Sequence, residues 1–534
     1  MNLKPITLAV AFALSTSTTM ICQAASPDSF PAPHSDKATW YAAGKATVEK
    51  NAALRPVTRK AKNVILFIGD GMGVSTVTAA RILAGQQPDI IDANNTKPAS
   101  SGEENSLSFE LFPHLALSKT YSTNQQTSDS APTMTAMVTG VKTADGMLSI
   151  DQGVSRADCA VDLKQHALKT MLELAESKGK ATGIVSTARI THATPAANYA
   201  HTPERNWEAD SNQPAGCAVP DIARQLVEFK YGDGLEVALG GGREYFRPNT
   251  LPDPEDAGKF GRRKDNRDLT AEWTNKFGTN SAYIWNQAQF DAIDSNTTTH
   301  LLGLFERSHM EYEADRLADT AGEPNLAAMT EKAINVLQKN RKGFFLQVEA
   351  GRIDHGHHAG NAYRALTDAI ALSDAVKKAV KTLKANGELE DTLIIVSADH
   401  SHTFTIAGYP QRGNNILGKV IEPGAASFTK ASDGAPYTTL SYANGLGFHV
   451  GVAGDDVYAT PVQIGRFADM TNVDTTDANF HQEATVPLAG SETHAGEDVA
   501  IYARGPGAHL FQGVLEQNVI FHVMNKKMFG ESRD

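Results

Sequence analysis

Short, largely apolar runs separated by amphipathic helices constrain this chain more than any other feature. Val64-Ile-Leu-Phe-Ile68, Gly183-Ile-Val-Ser186, Leu235 to Leu239, Phe344 to Val348, Leu393 to Val396 and Val499 to Tyr502 are each long enough for a strand. None alternates polar with apolar residues as a strand with one wet face would, so both faces of the sheet must be covered. The spacing between the runs predicts helices over Val74 to Leu83, from Leu168 to the breaker Gly179, over about 324–340 and over 362–385. Strand followed by helix, repeated, gives an α/β fold: a three-layer sandwich with a large, mostly parallel central sheet and helices on both faces. Two regions break the rhythm. About 252–313 is charged and irregular, and about 409–490 is rich in Gly, Asn, Thr and Asp; both read as insertions, the second built of loops and short strands.

In open α/β sheets ligands bind beyond the carboxyl ends of the strands, and ligand-type residues fall there. The run to Ile68 delivers Asp70, the run to Val348 delivers Glu349, and the run from Leu393 delivers Asp399-His400-Ser401-His402. Asp354 and His358 are four apart, so they share a helix face, and Glu492-Thr-His494 precedes the last strand. Mixed His and Asp ligation suits zinc; an all-oxygen set of Asp, Glu and Thr suits magnesium. The tetrad Asp129-Ser130-Ala131-Pro132 opens a helix that runs to Gly140. A serine there either caps the helix or meets the positive end of its dipole, which suits an alkoxide or a phosphate. A serine beside two metals about 4 Å apart is an arrangement for in-line phosphoryl displacement.

The formal charge of −12, with 61 acidic residues, excludes a nucleic-acid binder. Residues 1–24 read as an export signal: Lys4, an apolar stretch from Ile6 to Leu14, and Cys22-Gln23-Ala24 as the cleavage site. Residues 25–55 read as a leader and a helical arm, His34 to Leu54, bearing Trp40 and Tyr41; the catalytic body is 56–534. No later run is long enough to span a bilayer, and the end at Asp534 carries no apolar tail, so we expect an exported, periplasmic or secreted protein without a membrane anchor. Loss of the signal leaves Cys159 and Cys217, which form one disulfide or stay as two buried thiols.

From about Lys62 to Met524 the chain resembles the alkaline phosphatases, the animal type more than the enteric bacterial one. The resemblance rests on Asn63 to Ser75, Asp129-Ser130-Ala131, His192-Ala-Thr194-Pro with Ala200 to Trp207, Gly351 to His358, Ala398 to His402 and Thr493 to Asp498. It implies a metal-dependent hydrolase of phosphate monoesters with Ser130 as the nucleophile of a phosphoserine intermediate. It implies one zinc on Asp70, Asp399 and His400, a second on Asp354, His358 and His494, and magnesium on Asp70, Thr194 and Glu349. Arg205 would clamp the phosphate, held by Asp129. His192 and His355, beside the magnesium ligands, match the animal enzymes and imply looser magnesium binding and a more alkaline optimum.

A calcium ion would sit on Glu255, the Phe305 carbonyl, Glu306 and Glu323, the last standing where the family has aspartate. Cys159 and Cys217 match a family disulfide. The helical arm and the 409–490 region resemble the family's dimer-contacting arm and its crown, which implies a homodimer. A phosphodiesterase of the same superfamily is the rival reading. Arg205 speaks against it, because a forked guanidinium pairs best with a dianionic phosphoryl end.

Overall fold

The computed structural model describes residues 37–86, 102–447, 469–488 and 490–530. The signal, the leader up to residue 36 and part of the second irregular region lie outside the described residues. In chain order the strands are β1 (Asn63–Gly69), β2 (His114–Lys119), β3 (Ala181–Arg189), β4 (Val237–Gly241), β5 (Ser281–Ile284), β6 (His300–Leu304), β7 (Phe344–Ala350) and β8 (Thr392–Ala398). There follow β9 (Ser401–His402), β10 (Phe404–Ile406), β11 (Leu440–Gly445), β12 (Ala484–Pro487), β13 (His494–Ala495), β14 (Val499–Arg504) and β15 (Val514–Glu516).

Ten of these make one sheet in the order β15-β2-β14-β8-β1-β7-β3-β4-β6-β5. All its pairings are parallel except those of β14 with β2 and β8. Every residue of β1 is buried, and its side chains divide between two cores. Ile65 and Phe67 pack with the helices Val74–Gln86, Leu326–Leu337 and Ala362–Ala385; Val64, Leu66 and Ile68 pack with Ser130–Thr139, Met171–Ser177 and Val519–Phe529. The three layers follow from that alternation. The register sets Ile68 beside Glu349 and Gly69 beside both Ala350 and Ala398, so β1, β7 and β8 end level with one another. Three consecutive neighbours thereby deliver Asp70, Glu349 and Asp399 to one place.

Two details differ from the sequence expectation. The helix expected from Leu168 begins at Met171, because Thr170 and Glu173 close a capping box across its first turn. The 252–313 region, expected as an insertion, also supplies β5 and β6, which extend the edge of the main sheet. The second irregular region contributes β11 and β12 to a small sheet with β10. The helix Lys37–Ala52 buries none of its residues, and Trp40 and Tyr41 are exposed on it.

Candidate metal centre

Asp70 follows β1 and is almost wholly buried. The next residue, Gly71, has φ of +68°, and a Cβ there would come within 2.4 Å of the His402 ring, so only glycine lets the chain turn this close to the histidines. Its N–H donates to Asp399 Oδ1 at 3.0 Å, tying the ends of β1 and β8 together. Glu349, at the end of β7, accepts a short bond from Ser186 Oγ on β3, while its Oε1 is buried without a partner. Thr194, in the turn Ala193–Ala196 after β3, donates to Asp70 Oδ2 at 3.4 Å.

Ser130 is the first residue of the helix Ser130–Thr139, which Gly140 ends in the left-handed conformation. Its Oγ lies 3.1 Å from His400 Nε2 and 3.4 Å from Asp70 Oδ1. Asp129 stands at the N-cap, yet its side chain makes no cap bond. It accepts instead from Arg205 Nη1 at 2.8 Å. Arg205 Nη2 donates to His192 Nε2 at 3.1 Å, so two neighbours hold the guanidinium beside the serine. His355, the other histidine expected beside the magnesium ligands, packs at 5.6 Å from His192.

Asp354 and His358 share the helix Arg352–His358, with His358 Nε2 3.3 Å from Asp354 Oδ1. His494, on β13, places its Nε2 3.3 Å from the same oxygen and 3.0 Å from His358 Nε2. Of the other histidines in that helix, His357 turns away and bridges Thr76 Oγ1 at 2.9 Å and Tyr442 Oη at 2.8 Å. Two residues without an expected role complete the group. His402 lies 2.8 Å from Asp354 Oδ1 through Nε2 and 2.6 Å from Glu492 Oε2 through Nδ1. Both sit inside motifs quoted above, so their place was visible and their contact was not.

The electrostatics are those of a site short of positive charge. Burial, then Asp399, Asp354 and Glu349, push the Asp70 carboxyl well above the ordinary range. Burial carries Glu349 to about 7 and also raises Asp399. Burial acts upward on Asp354 too, but His358, His402 and His494 outweigh it and hold that carboxyl well below the ordinary range. Buried like charges relieve their repulsion by taking up protons or cations. His400 Nδ1 is buried without a partner, and two imidazole nitrogens face each other across a shared carboxylate. One of those nitrogens must accept, and a bound cation satisfies both. The donor sets Asp70, Asp399, His400 and Asp354, His400, His402, His494 each bring their ligand atoms within 4.8 Å of one another, as do Asp70, His192 and Glu349. The residues present therefore fit metal ions.

A second acidic group surrounds the loop after β6. Glu255, Glu306 and Glu323 are joined there by Asp319 and Glu311, which no sequence motif had marked. Burial, then Glu255, lift Glu306 to about 8; burial, then Glu306 and Glu311, lift Glu323 to about 9. Glu323 Oε2 and Asp319 Oδ2 are buried without partners. The Phe305 carbonyl accepts from Arg243 Nη1 at 2.9 Å, and Arg243 Nη2 donates to Glu255 at 2.7 Å. Cys159 and Cys217 are bonded, with Cα atoms 4.9 Å apart, which removes the two-thiol alternative.

Comparison with known proteins adds three findings. The family profile described as "Alkaline phosphatase" matches residues 61–529. The tissue-nonspecific isozyme of alkaline phosphatase from Gallus gallus is 42% identical over 95% of this chain and 92% of its own length. The alkaline phosphatase of Gadus morhua is 40% identical over 93% of this chain and 98% of its own length. Among solved structures, the Thermus thermophilus alkaline phosphatase superposes with a TM-score of 0.60 at 24% identity, covering 89% of this chain and 93% of that one. The enzyme from the Antarctic bacterium TAB5 gives 0.56 at 23% identity, over 88% and 98%. These structures carry the fold.

Proposed function

From its membership of the alkaline phosphatase family, which makes the chain a phosphomonoesterase, we propose that Ser130 is the nucleophile of a two-step transfer through a phosphoserine. Asp70, Asp399 and His400 would hold one zinc, Asp354, His358 and His494 a second, and Asp70, Thr194 and Glu349 a magnesium ion. When bound, such ions supply Lewis acidity and neutralise charge on the phosphoryl oxygens.

The remaining chemistry belongs to the chain. Ser130 Oγ stands at a helix N-terminus, where unpaired N–H groups and the dipole favour a developing negative charge. Its oxygen forms the bond to phosphorus as the ester oxygen leaves, and the hydroxyl proton passes, through water, to that departing oxygen. A water molecule then forms the new P–O bond as the Oγ–P bond breaks, and one of its protons goes to Oγ and restores the serine. Two in-line displacements retain configuration at phosphorus. Arg205, fixed through Nη1 by Asp129, turns its remaining donors to the non-bridging oxygens; a loosely bonded phosphoryl group needs this positioning more than covalent help.

One observation carries the reading: Ser130 Oγ converges with Asp70 and His400, within 3.4 Å of both, beside an anchored arginine. We extend the reading to the acidic group of Glu255, the Phe305 carbonyl, Glu306 and Glu323 as a calcium site. It also includes an exported homodimer whose exposed arm, Lys37–Ala52, meets the partner.

The test measures the metal content of the purified protein together with turnover of p-nitrophenyl phosphate, the bis(p-nitrophenyl) diester and the sulfate ester. We expect about two zinc and one magnesium per chain, a further calcium equivalent, and kcat/KM highest for the monoester. A preference for the diester overturns the assignment of Arg205; fewer transition-metal equivalents overturn the ligand sets.

A further inference from the structure

Three imidazoles stand together beside Asp70 and Glu349. His192 packs edge-on against His309 with ring centres 5.3 Å apart and against His355 at 5.6 Å, and His309 and His355 close the triangle at 4.1 Å. His309 lies in the loop after β6 and belongs to no motif of the sequence. Nitrogens of the three rings come within 4.8 Å of one another, close enough to raise the question of an ion.

Their surroundings argue otherwise. His192 Nε2 accepts from Arg205 at 3.1 Å, His355 Nδ1 faces Arg352 Nη1 at 3.1 Å, and His309 Nε2 meets the Arg189 guanidinium. A ligating histidine turns its second nitrogen to a carboxylate, carbonyl or water, whereas each of these turns one to a cationic N–H donor. Three guanidiniums around the triangle also repel a further positive charge. The triangle is therefore better suited to fixing a neighbour than to binding an ion.

We propose that His309 is a positioning residue for the phosphate clamp, fixing the ring of His192, which in turn fixes Arg205. The inference rests on the reading of Arg205 as that clamp. His192 Nδ1 is buried without a hydrogen-bond partner, so Arg205 is the only polar group among the described residues that orients this ring. The ring's remaining constraint is packing, and the walls are His309 and His355. His309 is itself fastened. The Arg189 guanidinium that meets its Nε2 is held in turn by both oxygens of Glu208 at 2.9 and 2.8 Å. Glu208 also accepts from Thr191 Oγ1. A continuous brace thus runs from Glu208 through Arg189, His309 and His192 to Arg205.

The test compares His309→Ala, His309→Phe and Arg205→Ala with the holoenzyme. The readouts are kcat, KM for p-nitrophenyl phosphate, inhibition by inorganic phosphate and metal content. His309→Ala should raise KM and the phosphate inhibition constant together, by about three- to tenfold, with kcat changed much less and every metal equivalent retained. His309→Phe restores the wall without the nitrogens and should recover only part of the loss, since the link to Arg189 stays broken. A fall in kcat alone, unchanged phosphate inhibition, or the loss of a metal equivalent in His309→Ala overturns the proposal. Arg205→Ala separates the two readings. Should it leave phosphate inhibition intact, the clamp itself is wrong; should it weaken inhibition while His309→Ala does not, the clamp stands and the brace falls.

Discussion

The strand-end centre and the acidic group after β6 each gather several carboxylates, and they differ in what stands between them. At the strand ends histidines are interleaved with the acids. His358, His402 and His494 outweigh the burial of Asp354 and hold its carboxyl low, so that one carboxylate finds its counter-charge within the protein while Asp70, Glu349 and Asp399 are still pushed up. Around Glu306 and Glu323 the nearby cation, Arg243, is already engaged by Asp253 and Glu255, and the carboxyls rise to about 8 and about 9. Nitrogen-rich donors favour a borderline metal such as zinc, and oxygen alone favours a hard ion. Their footing differs as well. The first group hangs from β1, β7 and β8, adjacent strands in register, and the second from a loop at the sheet's edge. The comparison teaches that one group interleaves its acids with imidazoles on rigid strand ends, while the other leaves its carboxyls crowded on a loop.

The sharpest way to break that division is at Ser130. Ser130→Ala should lower monoester turnover by about a thousandfold or more while leaving metal content unchanged, because the proposed role makes the serine a nucleophile and not a ligand. Loss of zinc along with activity would show that the serine belongs to the ligand shell. Next in size, Asp70→Ala should cost at least about tenfold more activity than Glu349→Ala, since Asp70 touches both the His400 and the Thr194 sides of the centre. Equal losses, measured with metal content, would remove the bridging role.

The smallest effect concerns the acidic group and is read in stability. Glu306 and Glu323 have folded pKa values raised above the ordinary 4.5, so their contribution is full below that value and drains as pH rises through about 8 and 9. Under a calcium-selective chelator the melting temperature should fall by a few degrees between pH 6 and 9, with activity retained at moderate temperature. Calcium or Glu323→Gln should flatten the decline. A pH-independent melting curve without calcium would show that the carboxylates are not crowded as described.

Much of the fold was legible because β1, β7 and β8 are buried on both faces and read as unbroken apolar runs. β2, β5, β6 and β15 escaped. β2 and β15 are short, partly exposed strands, β5 is the outermost strand on the other edge, and the five residues of β6 include Gly303 and sit among turn-forming neighbours. The residues at the strand ends were visible for the same reason as the strands: an Asp, Glu or His directly after an apolar run is placed by that run. His309 was not, since His192 and His355 lie far away in sequence; nor were Glu311 and Asp319, which follow no apolar run and are brought to Glu306 and Glu323 only by the folded loop. Asp129 shows a third case. Its position at the helix start was plain, whereas its use for Arg205, and not for the helix, required the tertiary contact 76 residues away.

The short ribbon in which β13 pairs with β9, setting His494 opposite His402, bears on the order of assembly. The expected ligands begin at Asp70 and are complete only with His494, near the end of a chain of 534 residues. A ribosome-bound chain therefore holds most of the proposed donors without the last imidazole. On the proposed ligand sets, ion loading is a late event of biogenesis, governed by the ions available wherever the chain folds. Its completion reports that the far end of the polypeptide has arrived.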